Sequence, residues 1–407
     1  MSGDKKVPEI RFEGFSEEWE ERKLEDVAVF NPKASLPPSF KYVDLESVVG
    51  TSLVSIRTEN KDTAPSRAQR LAVCKDIFFQ TVRPYQRNNF LFDLPFNDFV
   101  FSSGYAQLRP NIDSNFLFNI IQKDEFVFEV LDYCTGTGYP AITPTNLALI
   151  EIFISLDIKE QTAIGNFFRS LDNTIALKKQ QHEKTLNIKK AMLEKMFPKK
   201  GESVPEIRFE GFTGDWEELR LSDFGKATSG TSIESEFVSD GKYKVISIGS
   251  YSENSKYTDQ KIRANLTDKI KLRILNNGDL TMILNDKTSA GNILGRVLLI
   301  DSDDSYVYNQ RTQRIEPNHN DYCVQFIYQL LNAPLIRSKI VNQAQGNTQI
   351  YVNWPAICKT VYFAPKKEEQ IAIGNFFRGL DTLIEAQKEE IEKMQSIKNA
   401  LLNKMFV

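Results

Sequence analysis

The chain contains 407 residues, of which 41% are hydrophobic and 26% charged, and its formal net charge is −3. These values predict a folded protein of two or more domains and exclude one that is basic over its whole surface. The sequence contains no apolar run long enough to span a membrane, so we expect a cytoplasmic protein.

Two residue types that build common catalytic and metal sites are scarce. The four cysteines stand far apart without CxxC spacing: Cys74, Cys134, Cys323 and Cys358. We interpret them as isolated thiols and not as a disulfide framework. The only histidines are His182 and His319, which argues against a Cys/His zinc site and a hydrolytic triad. We therefore predict no metal site.

The chain opens with the segment VPEIRFEGF at 7–15, and the same segment returns unchanged at 204–212. The match extends to the tryptophans that follow, Trp19 and Trp216. A repeat of this kind indicates two copies of one structural plan. We call the two copies of VPEIRFEGF the entry segments. Their surroundings are acidic, which argues against contact with DNA.

A first body follows the first entry segment and has strand-like composition, as in IEIFISL at 150–156, with a helix predicted at 114–131. Its window 51–111 carries eight Lys or Arg and five Asp or Glu residues, and this positive excess suits contact with phosphates. Arginine and amide side chains can also bind base edges in the major groove. The residues predicted to bind DNA are Arg83, Tyr85, Gln86, Arg87, Asn88 and Gln107. A solvated polar loop is the alternative.

Sequence motifs of catalysis are missing. No GxxxxGK[ST] phosphate-binding loop occurs. The stretch NPKA at 31–34 resembles the Asn-Pro-Pro-aromatic loop of amino-group methyltransferases, but Lys33 and Ala34 replace its last two residues. TGTGYP at 135–140 is rich in glycine, yet it leads into AITPTN and is predicted to be a turn. We predict no catalytic residues.

A long helix is predicted over 159–197, with Asp157 and Glu160 resembling a capping box at its start. Apolar residues recur at spacings of three and four, which is typical of a coiled-coil seam. The seam residues are Ile164, Phe168, Leu171 and Ile175, and the seam is interrupted by Lys178, Thr185 and Lys189. A helix with one apolar seam needs a partner, and the second copy of the plan offers one.

The second copy repeats this order. Its body has strand patterns at 242–251 and 295–300 and a helix predicted at 322–341. The window 242–315 carries twelve Lys or Arg and eight Asp or Glu residues. The residues predicted to bind DNA are Asn285, Lys287, Thr288, Arg311 and Gln313. The closing helix has the seam residues Ile373, Phe377, Leu380, Ile384 and Ile391, with Gln387 and Lys398 interrupting.

A glycine stands at the same place in both helices, as Gly165 and Gly374. A glycine inside a helix costs about 1 kcal/mol relative to alanine. Its repetition therefore indicates close backbone packing, with simple inheritance through duplication as the alternative.

The doubled entry segments, the helix openings EQTAIGNFFRSLD and EQIAIGNFFRGLD, and the KMF endings together resemble the specificity (S) subunit of Type I restriction–modification enzymes. The resemblance covers essentially the whole chain. It implies an α+β fold with two β-rich target recognition domains joined by two long helices, which form an antiparallel coiled coil with a pseudo-twofold internal repeat. The implied domains are the first recognition domain at 1–158, the central helix at 159–197, the linker and second recognition domain at 198–366, and the C-terminal helix at 367–407.

The resemblance also implies a function. Each recognition domain is expected to read one half of a bipartite, asymmetric site in double-stranded DNA. Two adenine methyltransferase (M) subunits would dock on this chain, and restriction (R) subunits would join through them. S-adenosylmethionine, ATP and Mg are expected in those partners, and no cofactor is expected in this chain.

Helix length agrees with a spacing role. A helix of about 38 residues is roughly 57 Å long, and major-groove faces on one side of DNA recur about every 34–36 Å. Two rival functions stay open from the residues alone. One is a coiled-coil scaffold that binds only proteins, and the other is a nuclease that uses unrecognised carboxylates.

Overall fold

The computed structural model describes residues 6–136 and 138–407, so Thr137 of the predicted turn lies outside the described residues. Two compact units divide the chain. Unit 1 comprises Met1–Gln180 with Glu389–Val407, and unit 2 comprises Gln181–Lys388. Within the described ranges, no helix has the length and apolar character needed to cross a membrane.

Twelve strands and five helices make up the first copy of the plan in the described residues. The strands are β1 Glu20–Lys23, β2 Ala28–Phe30, β3 Ser39–Val43, β4 Val48–Val49, β5 Ser52–Leu53, β6 Arg57–Asn60, β7 Ala68–Leu71, β8 Ile77–Gln80, β9 Phe90–Leu91, β10 Phe99–Ser102, β11 Tyr105–Pro110 and β12 Glu151–Ile154. The helices are α1 Leu24–Val27, α2 Ser114–Ile120, α3 Asp124–Asp132, α4 Pro144–Ala148 and α5 Ile158–Lys195.

The second copy also begins and ends with paired strands and closes on a long helix, but it has a helix among the strands of its body. Its strands are β13 Glu217–Arg220, β14 Gly225–Ser229, β15 Phe237–Val238, β16 Tyr243–Ile246, β17 Arg263–Ala264, β18 Leu280–Ile283, β19 Asn285–Asp286, β20 Val297–Leu299, β21 Tyr306–Tyr308, β22 Thr312–Pro317, β23 Ile350–Tyr351 and β24 Val361–Ala364. Its helices are α6 Asp268–Lys271, α7 Val324–Asn332, α8 Pro334–Val341, α9 Trp354–Cys358 and α10 Lys367–Met405.

The two bodies have closely similar strand arrangements although their sequences have diverged. One edge strand differs, because β7 lies beside β10 in unit 1 whereas β15 lies beside β17 in unit 2. Each contains two four-stranded sheets, in the orders β6-β3-β10-β7 and β2-β11-β8-β9 in unit 1, and β15-β17-β16-β21 and β14-β22-β18-β20 in unit 2. One sheet of each body contains a single parallel pair, β3 with β10 or β16 with β21. The mixed α+β fold predicted from the sequence is confirmed.

The short helices predicted inside the bodies are each two helices. The segment predicted at 114–131 is α2 and α3, and the segment predicted at 322–341 is α7 and α8, which Pro334 separates. Proline suits the first position of a helix because its missing N–H would have no partner there. The apolar pattern continued through both breaks, so it could not report them.

The long helices pair antiparallel within each unit. In unit 1, Lys398 lies 2.6 Å from Asp172, and Lys178 lies 2.8 Å from Glu390. Residue numbers therefore increase along one helix in the direction in which they decrease along the other. In unit 2, Lys189 lies 2.6 Å from Asp381. The lysines that interrupt the apolar seam therefore form ion pairs between the helices.

The first seam residues pack more broadly than a coiled coil requires. Ile164 and Phe168 are buried in the core of the first body, together with Phe406 from the end of α10. In unit 2, Ile373 and Phe377 are likewise buried in the core of the second body. They pack there with Phe197, which follows the end of α5 and stacks on Phe377. Further along, Ile175 and Ile391 are buried, and the other predicted seam residues, Leu171, Leu380 and Ile384, are half-buried. The spacing of the apolar residues thus correctly identified the buried face of each long helix. Part of that face packs against the globular body instead of against the other long helix.

Close packing explains the repeated helical glycines. A Cβ on Gly165 would lie 2.5 Å from the Asp113 carboxylate and 2.9 Å from the Asn115 Cβ, and one on Gly374 would lie 3.0 Å from the Gln325 Cβ. Each glycine lets the start of a body helix, α2 or α7, approach the long helix. The close-packing interpretation is therefore confirmed.

The entry segment binds the start of one long helix. In unit 1, the Arg11 guanidinium donates to both oxygens of the buried Glu160 carboxylate, at 2.5 and 2.8 Å, and the Trp19 indole N–H donates to it at 3.2 Å. In unit 2, Arg208 donates to Glu369 in the same bidentate way, at 2.7 Å for each bond. Glu160 therefore does not close the capping box predicted with Asp157, because its carboxylate is taken by Arg11.

The same segment binds the end of the other long helix. The Ile10 N–H donates to the Lys404 carbonyl at 2.9 Å, and Glu9 lies 3.0 Å from the Lys404 ammonium. In unit 2 the Ile207 N–H donates to the Lys195 carbonyl at 2.9 Å. We call this set of bonds the helix clamp. Each entry segment thus ties a helix start to the helix end beside it.

Candidate nucleic-acid interface

The predicted DNA-binding stretch of unit 1 forms a tight exposed loop after β8. Its centre is a single turn of 3-10 helix, Pro84–Gln86, with Arg83 and Arg87 on either side. Both arginines have left-handed backbone conformations with φ of 54°. Such conformations are uncommon outside glycine and cluster at functional sites. Tyr85 is exposed at the tip of this loop.

Three predicted residues of this loop are held by the protein itself. Gln86 accepts a hydrogen bond from the Gln80 amide at 2.9 Å. Arg87 forms an ion pair with Asp124 and donates to the Gln122 carbonyl at 3.1 Å. Asn88 accepts from the Gly50 N–H at 2.8 Å. These bonds fix the loop shape and leave Arg83 and Tyr85 as its freest side chains.

A hairpin lies against this loop. Backbone bridges join Val82 to Ala141 and Thr135 to Ala141, so Thr135 and Ala141 lie beside the loop. The hairpin exposes Tyr139, whose ring centroid lies 4.3 Å from the Arg83 guanidinium. The predicted turn at TGTGYP therefore places an aromatic residue directly on a predicted DNA-binding arginine.

Unit 2 builds the corresponding loop from residues 284–292. Asn285 is half-buried in β19, whereas Lys287 and Thr288 are exposed. Asp286 organises the turn, because it accepts from the Thr288 N–H at 2.9 Å, the Thr288 hydroxyl at 3.0 Å and the Ile293 N–H at 2.9 Å. Burial alone would raise the pKa of Asp286, but these hydrogen bonds outweigh it and lower the pKa.

Arg311 occupies the turn between β21 and β22. It is exposed, has a left-handed backbone with φ of 66°, and its carbonyl accepts from the Leu284 N–H at 2.9 Å. In unit 1 the same backbone bond runs from the Thr81 N–H to the Gly104 carbonyl at 3.0 Å. The turn is therefore common to both units, and unit 2 adds a basic side chain to it.

Two predicted DNA contacts are corrected by burial. Gln107 on β11 is fully buried, and its amide donates to Asp76 at 2.7 Å and to the Leu71 carbonyl at 2.8 Å. Gln313 on β22 is also buried, and its side-chain oxygen accepts from the Ser229 hydroxyl at 2.8 Å. Both amides are bonded within the sheet interior, so neither lies at the surface of this structure.

The remaining positive charge of unit 2 lies partly on α6. Lys269 and Lys271 are exposed there, and Arg273 follows, with its guanidinium 3.1 Å from the Thr231 hydroxyl. These side chains can neutralise phosphates without reading bases. Among residues 6–136 and 138–407, no group of three or more His, Cys, Asp or Glu side chains could hold a metal ion.

Sequence reasoning missed the hairpins, which stand at equivalent places in both units. In unit 2, Asn285 pairs with Tyr351 and Gln345 bridges to Tyr351, so Gln345 and Tyr351 lie beside the loop as Thr135 and Ala141 do in unit 1. The glycine that opens each turn was the available signal, but nothing local showed that a loop predicted to bind DNA would lie next to it.

The fold and these surfaces define a class of internally duplicated proteins, in which two bodies with closely similar sheets share repeated helix clamps but expose different loop side chains. The Type I restriction modification DNA specificity domain matches residues 16–187 and again residues 213–394. The chain therefore belongs to that family.

Relatives and solved structures agree with this assignment. The Type I restriction enzyme MjaVIII specificity subunit of Methanocaldococcus jannaschii is 26% identical over 275 residues, which cover 66% of this chain and 64% of that protein. The chain thus matches just under two thirds of that relative's length.

Two solved structures share the fold. The S subunit of a Type I restriction–modification system from M. genitalium gives a TM-score of 0.64 at 16% identity, covering 98% of this chain and 99% of the other. A chain from a study of complex assembly and conformational transition of the Type I R-M system gives 0.58 at 19% identity, covering 95% and 97%.

Proposed function

We propose that this chain is a non-catalytic specificity subunit that reads a bipartite, asymmetric DNA site and directs adenine methyltransferase and restriction subunits to it. One observation carries the proposal. Two bodies with closely similar sheets are fixed by the same helix clamp, yet their corresponding exposed loops carry different side chains. A protein that must present two different chemistries in equivalent positions needs this combination.

Each body is proposed to read one half of the site. In unit 1, Tyr85 is exposed and Arg83 is half-buried, on a loop that is held by the side-chain bonds of Gln86, Arg87 and Asn88. A rigid loop loses little conformational entropy on binding, which favours specific recognition. In unit 2, Lys287, Thr288 and Arg311 occupy the corresponding loop and turn.

The chemistry is proposed to belong to the partner subunits. The methyltransferase subunits would supply S-adenosylmethionine and the transfer of its methyl group, and the restriction subunits would use ATP and Mg. The two helix clamps support docking of two methyltransferase subunits, because they repeat the same backbone and charged groups in both units.

The decisive experiment is a comparison of DNA methylation in two hosts. One host expresses this chain with a methyltransferase subunit, and the other expresses the methyltransferase subunit alone. We expect methyladenine in a new, interrupted motif only when this chain is present. An unchanged methylome with an intact complex would contradict DNA reading and favour the protein scaffold, and DNA cutting by the purified chain would favour a nuclease.

Exchange of one body tests modular reading. A chimera that carries the body of another family member in place of residues 25–155 should change one half of the methylated motif and leave the other half unchanged. A change in both halves would contradict the assignment of one body to each half.

A further inference from the structure

The turns that begin at Gly136 and Gly346 are paired alike, since Thr135 bridges to Ala141 and Gln345 bridges to Tyr351. We call Tyr139 and Gln349, three positions after each glycine, the tip residues. Both turns open on a glycine with positive φ, 88° at Gly136 and 99° at Gly346. A Cβ on Gly136 would lie 3.2 Å from the Tyr139 carbonyl oxygen, and one on Gly346 would collide with the carbonyl oxygen of Gln349. The two turns are therefore built alike, and Tyr139 in unit 1 corresponds to Gln349 in unit 2.

The tip residues are available to a ligand. Tyr139 is 67% exposed, and Gln349 is exposed as well. The Arg83 guanidinium lies 4.3 Å from the centroid of the Tyr139 ring, and such a contact contributes about 0.5–1 kcal/mol at an exposed site. The Tyr139 ring is thus both exposed to solvent and restrained by Arg83, so it is accessible for contact with another molecule.

Backbone pairing fixes the hairpins beside the proposed DNA-reading loops. Ala141 bridges to Val82 immediately before Arg83, and Tyr351 pairs with Asn285 two residues before Lys287. In unit 1, a ligand that reaches Arg83 also approaches Tyr139, whose ring lies against the Arg83 guanidinium. In unit 2, Gln349 stands two residues before Tyr351, the strand partner of Asn285. An asymmetric site has two different halves, which need side chains of different chemistry. The two tip residues meet this need, since one is aromatic and the other is an amide.

We propose that Tyr139 and Gln349 are DNA-contacting residues, one in each half of the site. A glutamine amide can both donate to and accept from adenine, and an aromatic ring offers apolar contact to a thymine methyl group. Hydroxyl and amide groups can also bind phosphates. The inference rests on the proposed function and identifies contacts that the loops alone would not provide.

The test uses the complex of this chain with its methyltransferase subunits and a duplex that contains the motif found by methylome sequencing. Tyr139→Ala and Gln349→Ala are each compared with an exposed residue of similar type in the same unit, Phe128→Ala and Gln260→Ala. Tyr139→Phe removes the hydroxyl and keeps the ring. Gln349→Glu removes the amide donor and keeps the size of the side chain. Unfolding temperature is measured for every variant.

We expect each tip variant to lower affinity for the specific duplex about tenfold, which is the lower range for a lost base contact. The control variants should change affinity less than about twofold. A tip that contacts bases will lose discrimination only against base changes in its own half-site. A tip that contacts phosphate will weaken binding to all duplexes equally. Either result supports the contact.

Unchanged affinity and discrimination in both tip variants, with unchanged unfolding temperature, would overturn the inference. That result differs from failure of the proposed function, in which the wild-type complex itself shows no preference for any duplex.

Discussion

The repeated frame comprises the entry segments and the two long helices. It differs from the diverged bodies in what its polar groups bind. In the frame, charged groups bind other parts of the same chain, as Arg11 binds Glu160 and Arg208 binds Glu369. In the bodies, the corresponding loops share backbone bonds, but their side chains differ and several are exposed. Identical residues are thus found where the geometry is internal, and different residues where an external partner is expected.

Shortening the frame gives the largest expected effect and separates it from the bodies. Deleting residues 177–183 and 386–392 removes one heptad from each long helix, or about 10 Å of length. Because the loops are untouched, we expect the same bases in each half of the methylated motif, with a spacer shorter by about three base pairs. Methylome sequencing measures both the bases of each half-site and the length of the spacer. Methylation that keeps its original spacing would contradict a spacing role for the helices.

Breaking the helix clamp tests whether each entry segment stabilises the unit that contains it. Arg11→Ala leaves the buried Glu160 carboxylate without its cation, and Arg208→Ala does the same to Glu369. Removing one partner of a buried pair costs about 3–5 kcal/mol. Denaturant unfolding should show this loss, whereas Arg22→Ala, which removes an exposed pair with Glu20, should cost less than about 1 kcal/mol. Equal effects would contradict the clamp.

Two glycines of the long helices provide a matched test of close packing. Gly165→Ala places a methyl group 2.5 Å from the Asp113 carboxylate, so we expect a loss of about 1–3 kcal/mol in unfolding free energy. Gly379→Ala meets nothing within 4 Å, so helix propensity should prevail and stabilise the protein by about 0.5–1 kcal/mol. Stabilisation by both substitutions would show that the approach of α2 can relax.

The smallest expected effect concerns α6. Lys269→Ala and Lys271→Ala should each lower the dependence of DNA affinity on salt by about one phosphate contact and weaken binding to all sequences alike. Lys200→Ala, an exposed lysine outside both bodies, is the control. A change in which base is preferred would place α6 among the reading elements instead.

The frame was predictable because its signals are periodic and repeated. The spacing of Ile164 and Phe168 correctly indicated a buried helix face, but it could not show that Trp19 and Phe116 of the body cover that face as well. Periodicity reports burial, and the identity of the covering residues depends on contacts distant in the chain.

The binding surface was less predictable because local composition does not report strand orientation. Gln107 had the chemistry of a base reader, yet alternation along β11 turns it toward Asp76. Tyr139 lay in a stretch that local rules identify only as a turn, and its significance comes from Arg83, which the fold brings to it.

The discontinuous make-up of unit 1 has a consequence for folding during synthesis. Unit 2 is one continuous stretch, whereas unit 1 requires residues 389–407, whose Leu402, Met405 and Phe406 fill its core. The first body to leave the ribosome is therefore the last to close. Until α10 has emerged, its apolar residues around Trp19 and Phe168 stay uncovered, and chaperones have their longest opportunity to bind at the N-terminal half of the chain.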